Sequence, residues 1–437
     1  MLMNKAFKYV PSLLGKAIGL AVRYSNGDLK QNAVPLIYFE LKNKIAKIPN
    51  EAGAPTAVGA PALLCALPAL VVPLFFGFIT RCLALLRYIC TTPLISITIN
   101  TKKRYETMNQ KIRFGIIGTN FITDMLLAGA KEDPRFEVTA VCSRTEERAR
   151  EFAEKYAIPH TFTSLEAMAS SEYVDAIYIA TPNSTHAPYS IVCMNHGKHV
   201  LCEKPLASNA REVKAMIEAA ERNGVALMEA MIATLNPNFD IIRKHLSEVG
   251  TVRRYFGSYC QYSSRYDKFK QGIVLNAFRR ELSNGSVMDI GVYTIYPMVA
   301  LFGKPEGITA QGTLLSTGVD GQGTVSFRYR GMEASVAFSK IADSYLPGII
   351  DGEKASLVID KIQTPESVVL RNRQGSSELG VKFDHDIYYY EVAEFIDLIV
   401  DHKQQSEVNS WATSLATIEI IDEIRRQMGV VFPADNQ

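Results

Sequence analysis

The feature that most constrains this chain is a regular alternation of short apolar runs and amphipathic segments from Ile112 to Glu229. Ile112 to Gly118 reads as a buried strand running into a turn, and a helix follows through Leu126, Leu127 and Ala130. Phe136 to Cys142 is a second strand, and Thr145 to Tyr156 a charge-rich amphipathic helix. Ala176 to Ala180 is another strand, ending at Thr181-Pro182-Asn183. Pro188 to His196 reads as a helix, Asn209 caps a further helix to Asn223, and Ala226 to Glu229 is a last short strand. Strands that are apolar throughout are buried on both faces, and helices between them make the pairing parallel. The expected fold class is α/β, opening with a doubly wound parallel sheet.

Within that rhythm, His199 to Glu203 is a central strand that ends in Glu203-Lys204-Pro205. Pro205 removes a ladder donor and biases Lys204 towards an extended backbone. An acid and a lysine at the carboxyl end of such a strand stand where open α/β sheets bind ligands. Alone, the pair also fits a solvated strand terminus.

The first strand-to-helix turn bears on a dinucleotide. The phosphate-binding pattern is G-x-G-x-x-G, and here Gly118-Thr119-Asn120-Phe121-Ile122-Thr123 keeps only the first glycine. Asn120 is the best substitute for a left-handed glycine, and Thr123 implies a slightly wider gap between helix and strand. Amides at the helix start hold a pyrophosphate. After the second strand, Ser143-Arg144 offers a hydroxyl and a guanidinium where an NAD-binding chain carries an acid. That favours NADP(H), with NAD(H) possible.

Charge divides the 437 residues unevenly. Residues 1–108 hold thirteen lysines and arginines against four acids, a net +9, which leaves −7 for the remainder of a chain totalling +2. An acidic remainder with scattered charge argues against nucleic acid as a partner. The seven cysteines show no paired C-x-x-C spacing, so they read as reduced thiols of a cytoplasmic protein, with no metal site. In the basic part, residues 63–79 are almost continuously apolar but interrupted by Pro68 and Pro73, at the lower limit for a bilayer span. A membrane association is expected only if that run is an anchor. Met108 stands just before the first strand, and residues 1–108 are read as an extension outside the fold.

Taken together, Gly115-Ile116-Ile117-Gly118, Ala180-Thr181-Pro182-Asn183-Ser184-Thr185-His186, Glu203-Lys204-Pro205 and Met288-Asp289-Ile290-Gly291-Val292-Tyr293 resemble the Gfo/Idh/MocA family of nicotinamide-dependent oxidoreductases, over about residues 111 to 432. The resemblance implies a Rossmann domain, here 109–232, followed by an α+β domain, 233–437, with a large, mostly antiparallel sheet. Val252 to Tyr262, Thr309 to Leu315, Thr324 to Tyr329, Glu333 to Phe338 and Ser356 to Ile359 read as its strands, with helices at Tyr388 to Val400 and Ser410 to Met428. A homo-oligomer through that sheet is expected.

The resemblance also implies that Lys204 reaches the reacting oxygen and the nicotinamide ribose. Where members of the family carry Asp and His four apart, this chain has Asp289 and Tyr293, which resembles the dihydrodiol and xylose dehydrogenase branch, with tyrosine as proton donor. A lysine ammonium beside Tyr293 is expected to lower its phenol pKa. Glu203, Thr181, Pro182, Asn183 and His186 join the dinucleotide contacts, although His186 also reads as a structural histidine. Tyr262, Arg265 and Tyr266, in a polar aromatic loop, are candidates for the substrate's hydroxyls. The expected activity is hydride transfer between nicotinamide and a hydroxyl or carbonyl of a sugar, polyol or diol. The alternative is a non-catalytic sensor of the same fold.

Overall fold

The computed structural model describes residues 110–436. The expectations for residues 1–108, including the apolar run at 63–79, lie outside the described residues.

Six parallel strands, β1 (Ile112–Ile117), β2 (Phe136–Cys142), β3 (His160–Phe162), β4 (Ala176–Ile179), β5 (His199–Glu203) and β6 (Leu227–Ala230), form one sheet in the order β3-β2-β1-β4-β5-β6. That order reverses direction between β1 and β4, and the crevice outside the strand ends there is the ligand position of a doubly wound sheet. Helices α1 (Phe121–Ala130), α2 (Glu146–Tyr156), α3 (Leu165–Ala169), α4 (His186–Asn195) and α5 (Ala210–Asn223) connect the strands. Asn209 caps α5 as expected, its side chain accepting from the Glu212 amide. Strand β3 and helix α3 were not anticipated, being too short to carry a hydrophobic period.

The second sheet has eight strands: β7 (Val252–Cys260), β8 (Gly307–Leu314), β9 (Asp320–Arg328), β10 (Glu333–Ser339), β11 (Gly348–Gly352), β12 (Ser356–Ile359), β13 (Val368–Asn372) and β14 (Gly375–Glu378). Their order is β14-β13-β12-β11-β7-β10-β9-β8, antiparallel except for the parallel pair β7 and β10. Strands β11, β13 and β14 escape sequence reading because glycine and polar residues dilute their pattern. The same region carries α6 (Pro237–His245), α7 (Tyr266–Lys270) and α8 (Val292–Phe302), and the chain closes with α9 (Ile387–Val400) and α10 (Trp411–Met428). The stretch Arg280–Phe302 is long and apolar enough to cross a membrane, but 72% of its apolar window is buried inside the protein.

Helix α9 returns to the parallel sheet, where Val392, Phe395 and Ile396 join Phe114, Ile116, Tyr178 and Leu201 in one core. The connection to α10 also seals edge strand β6, since the Leu227 amide donates to Gln404 O at 3.0 Å and Trp411 Nε1 to Leu227 O at 2.9 Å. The carboxyl end of β6 is held as well, Asn409 Nδ2 donating to Glu229 O at 3.2 Å and Met231 O at 3.3 Å.

Candidate active site

A cavity of about 790 Å³ runs from Asn120, Phe121 and Ile122 at the start of α1 to Lys204, Asp289 and Tyr293, with one wall from the second sheet. At its mouth, Gly118 has φ +104°, and a Cβ there would collide with the Ala180 carbonyl. Glycine is therefore required for this turn to pass so close to the end of β4. Asn120 is a correction: its backbone is extended rather than left-handed (φ −103°), because it serves as the N-cap of α1. Its Oδ1 accepts from the Ile122 amide at 2.9 Å, and its Nδ2 donates to Ala180 O at 2.6 Å. Thr123 is fully buried at the third-glycine position, its hydroxyl donating to Gly118 O at 2.8 Å, so the loop closes onto the helix by a side-chain bond. Asn120, Phe121 and Ile122 thus line the cleft, with the Ile122 amide taken up by the Asn120 cap.

Ser143 is half-buried after β2 and Arg144 is exposed. A second guanidinium, absent from the sequence reading, lies beside them. Arg148 Nε donates to Thr119 Oγ1 at 3.0 Å and Nη2 to Thr119 O at 2.8 Å, fixing the phosphate loop to α2. Its signal was its place one turn beyond Arg144 on a helix capped by Thr145.

Thr181, Pro182, Asn183 and His186 line the cavity floor. Asn183 is also a tie between the lobes, its Nδ2 donating to Ser283 O at 2.8 Å. His186, 1% exposed, places Nδ1 2.9 Å from Pro205 O and Nε2 2.9 Å from Thr181 O. Burial holds its pKa below the ordinary imidazole value, so the neutral ring donates to one carbonyl at a time and brackets the two loops. Its nitrogens are occupied within the protein, and the structural reading of this histidine accounts for both.

Beyond the cis Lys204–Pro205 bond, the Leu206 amide donates to Glu229 at 3.0 Å, which anchors the loop behind the lysine. Lys204 Nζ donates to Asp289 O at 2.7 Å and to Asp289 Oδ1 at 3.1 Å. Burial opposes its charge, but Asp289 and Glu203 outweigh that and raise its pKa. Asp289 stands in a π-turn, Val287–Gly291, that runs into α8. Asp289 and Tyr293 both line the cavity, across a widened turn of the kind found at functional sites.

A second lysine completes this constellation and was missed. Lys340, 3% exposed and just beyond β10, donates from Nζ to Asp289 Oδ2. Despite burial, Lys340 and Lys204 hold the Asp289 carboxyl below the usual carboxylate range. No local pattern marks Lys340, which reads as the end of an ordinary strand.

Tyr293 departs from expectation in its proton affinity. Burial, reinforced by Glu203, Tyr259, Asp289 and Glu391, drives its phenol well above the usual range, where a lowered value was expected. The cause is geometric: Lys204 Nζ lies over the ring, 4.7 Å from its centroid, and spends its hydrogen bonds on Asp289. The phenol is held as a neutral acid. Glu203, 8% exposed, accepts from Tyr178 Oη at 2.6 Å, and burial raises its pKa despite Lys204.

Of the three substrate candidates, Tyr262 and Arg265 line the cavity and Tyr266 does not. Tyr266 is corrected to a packing role, its ring 5.9 Å from Phe269 and 5.8 Å from Phe278, because α7 turns it into that aromatic cluster. Arg265 stacks over Phe121 at 5.7 Å, which carries its charge to the phosphate-loop end of the cavity. Tyr259 and Gln261, unmarked in the sequence, join the wall.

Residues 112–231 match the oxidoreductase family, NAD-binding Rossmann fold, of the Gfo/Idh/MocA group, and residues 246–358 match its C-terminal domain. The chain is 54% identical over 325 residues to the scyllo-inositol 2-dehydrogenase (NADP+) of Bacillus subtilis (strain 168), covering 74% of this chain and 99% of that protein. This chain belongs to the Gfo/Idh/MocA oxidoreductase family. It is a nicotinamide-dependent oxidoreductase acting on CH–OH groups. The mouse trans-1,2-dihydrobenzene-1,2-diol dehydrogenase is 30% identical over 344 residues, 75% of this chain and 99% of that protein. The Gfo/Idh/MocA fold is seen again in KijD10, a 3-ketoreductase from Actinomadura kijaniata solved with NADP, at TM-score 0.64 and 23% identity over 73% of this chain and 98% of that one.

Proposed function

We propose that this chain is an NADP(H)-dependent dehydrogenase of a cyclic polyol or diol, with Lys204 and Tyr293 at the reacting oxygen. The observation that carries the reading is the Lys204–Asp289 pair beside a neutral Tyr293, at the far end of a cleft that begins at the helix start of α1. Relatives named as NADP+-dependent inositol and dihydrodiol dehydrogenases support the substrate class and the cofactor.

Ser143, Arg144 and Arg148 would form the basic corner for a 2′-phosphate, and the turn at Asn120–Ile122, with Arg265 from the second lobe, would hold the pyrophosphate. The nicotinamide, when bound, supplies or accepts the hydride. Lys204 is held by Asp289 so that a remaining N–H points at the substrate oxygen. In reduction Tyr293, kept protonated by its surroundings, gives its proton to the developing alkoxide, and in oxidation the phenolate oxygen takes it back. Asp289 fixes the lysine and stays ionised throughout.

We further infer a cytoplasmic protein, supported by four unpaired cysteines among the described residues. A homo-oligomer through the outer face of the eight-stranded sheet is supported by its solvent-facing row, which includes Gln311, Thr313, Thr324 and Ser326. Sedimentation tests it.

Nicotinamide absorbance, followed over inositols, aldoses, diols and their ketones, tests the central reading. The expected result is turnover with NADP+ preferred over NAD+, and a kcat lowered about 10²- to 10⁴-fold by Tyr293→Phe with NADPH affinity retained. Full turnover by Tyr293→Phe would refute the tyrosine assignment. A polyol that shifts NADPH affinity without any turnover would make the protein a sensor.

A further inference from the structure

We infer that Lys340 is a substrate-positioning residue that binds a second substrate oxygen, on the carbon next to the one that reacts. This rests on the polyol reading above and extends it to a residue outside the family's lysine and tyrosine.

The argument starts from charge. Asp289 already has a cationic partner, since Lys204 donates to its Oδ1 and its backbone carbonyl. Lys340 adds a second ammonium on Oδ2, so two ammoniums share one carboxylate. Glu203 lies in electrostatic range of Lys204, and Asp320 of Lys340, but neither carboxyl accepts a hydrogen bond from a lysine: Glu203 accepts from Tyr178 Oη and Asp320 from the Val287 amide. An ammonium whose side chain is only 4% exposed is costly to bury unless its donors are used. Three N–H groups are available to a lysine, and Asp289 takes one. Among the described residues no other acceptor bonds Lys340 Nζ, while its residue lines the cavity.

Position supplies the rest. The Lys340 backbone is fixed on both sides, its amide donating to Gly321 O at 2.8 Å and its carbonyl accepting from the Ser263 amide at 2.9 Å. Nζ lies 5.8 Å from the centroid of the buried Phe278 ring, and the residue lines the cavity, so the cavity is open to its unused donors. The two lysine nitrogens sit on the two oxygens of a single carboxylate. Asp289 therefore acts as a spacer, and the pair presents donors side by side, matched to oxygens on neighbouring carbons. A substrate with one hydroxyl leaves Lys340 unanswered; a vicinal diol or α-hydroxy ketone satisfies both lysines.

The test uses the full-length protein with NADP+, scyllo-inositol, and cyclohexanol, the same ring with a single hydroxyl. Lys340→Met removes charge and donors at similar length, and Lys340→Arg keeps both. Losing one charge-assisted hydrogen bond is worth roughly 10- to 100-fold. Lys340→Met is therefore expected to raise KM for scyllo-inositol and to lower its kcat/KM advantage over cyclohexanol by that factor. NADPH affinity should change less than about twofold, and Lys340→Arg should recover most of the discrimination. Should Lys340→Met fail to bind NADPH, Lys340→Gln, which still donates to Asp289, is judged by the same ratio. Active wild type with an unchanged ratio in the neutral variant, or no rescue by arginine, overturns the role of Lys340 alone. Wild type inactive on every polyol overturns the functional reading and this one with it.

Discussion

Asp289 and Glu391 are both acids in electrostatic range of Tyr293, and their surroundings push their pKa values in opposite directions. Asp289 lines the cavity between Lys204 and Lys340, which hold it ionised. Glu391, on α9, is 0% exposed, and neither of its carboxyl oxygens has a hydrogen-bond partner. Burial first, and Glu203 next, push its pKa well above the carboxylate range. A carboxyl is pushed down in this protein where cations are anchored against it, and up where it is buried with no hydrogen-bond donor and another acid nearby. Glu229 is the intermediate case: burial raises it to about 7, restrained by its hydrogen bonds, including the one from the Leu206 amide.

Three experiments break or sharpen that contrast. The largest effect is expected from Asp289→Asn, which removes the carboxylate that both lysines bond, the lysines being 12% and 4% exposed and the carboxyl 32%. Stability in urea should fall by about 3 kcal/mol, the low end for a buried pair that loses one partner, because the carboxyl is partly open to the cavity. A loss below about 1 kcal/mol would mean that cavity water, not Asp289, carries the lysines.

Glu229→Gln is next. The native state keeps the Glu229 proton between its ordinary 4.5 and about 7, where the unfolded chain releases it. Fewer protons bound in the unfolded state mean that stability falls as pH rises through this window, by about 3 kcal/mol in all, and levels off above it. The glutamine variant should lack that slope, and parallel wild-type and variant curves from pH 4.5 to 8 would contradict it.

The smallest change at acid pH is expected from Glu391→Gln, since an amide replaces a side chain that is already neutral. Denaturation midpoints at pH 5 should correspond to stabilities within about 1 kcal/mol of wild type. As pH rises the wild type alone must hold a proton that its unfolded chain gives up. The variant should then gain about 1.4 kcal/mol per pH unit while Glu391 remains protonated. A variant that is equally destabilised at every pH would show that Glu391 is ionised in the fold.

Much of the frame was legible locally. The N-cap at Asn209, the cap at Ser410 that starts α10, and the strand ending at Glu203 are set by residues within a few positions of one another. Lys204, Asp289 and Tyr293 were legible as a set through the family's motifs. Lys340 was not, because its partner is 51 positions away and a strand-end lysine carries no pattern. Glu391 was not, because its helix shows a plain amphipathic face, and only the return of α9 onto the parallel sheet closes it off from water.

By itself, the sequence determined the longer strands and helices of the first domain, their parallel sheet, the glycine of the first turn, and the lysine at the end of β5. Periodicity, capping and backbone sterics act over one or two turns of chain, so they can be read from neighbours. Only the tertiary structure decided which way the pKa of each acid moves, and that Tyr293 is held as a neutral acid against the expected shift. Those outcomes depend on the distance to charges brought together from remote parts of the chain, and on how completely water is excluded between them.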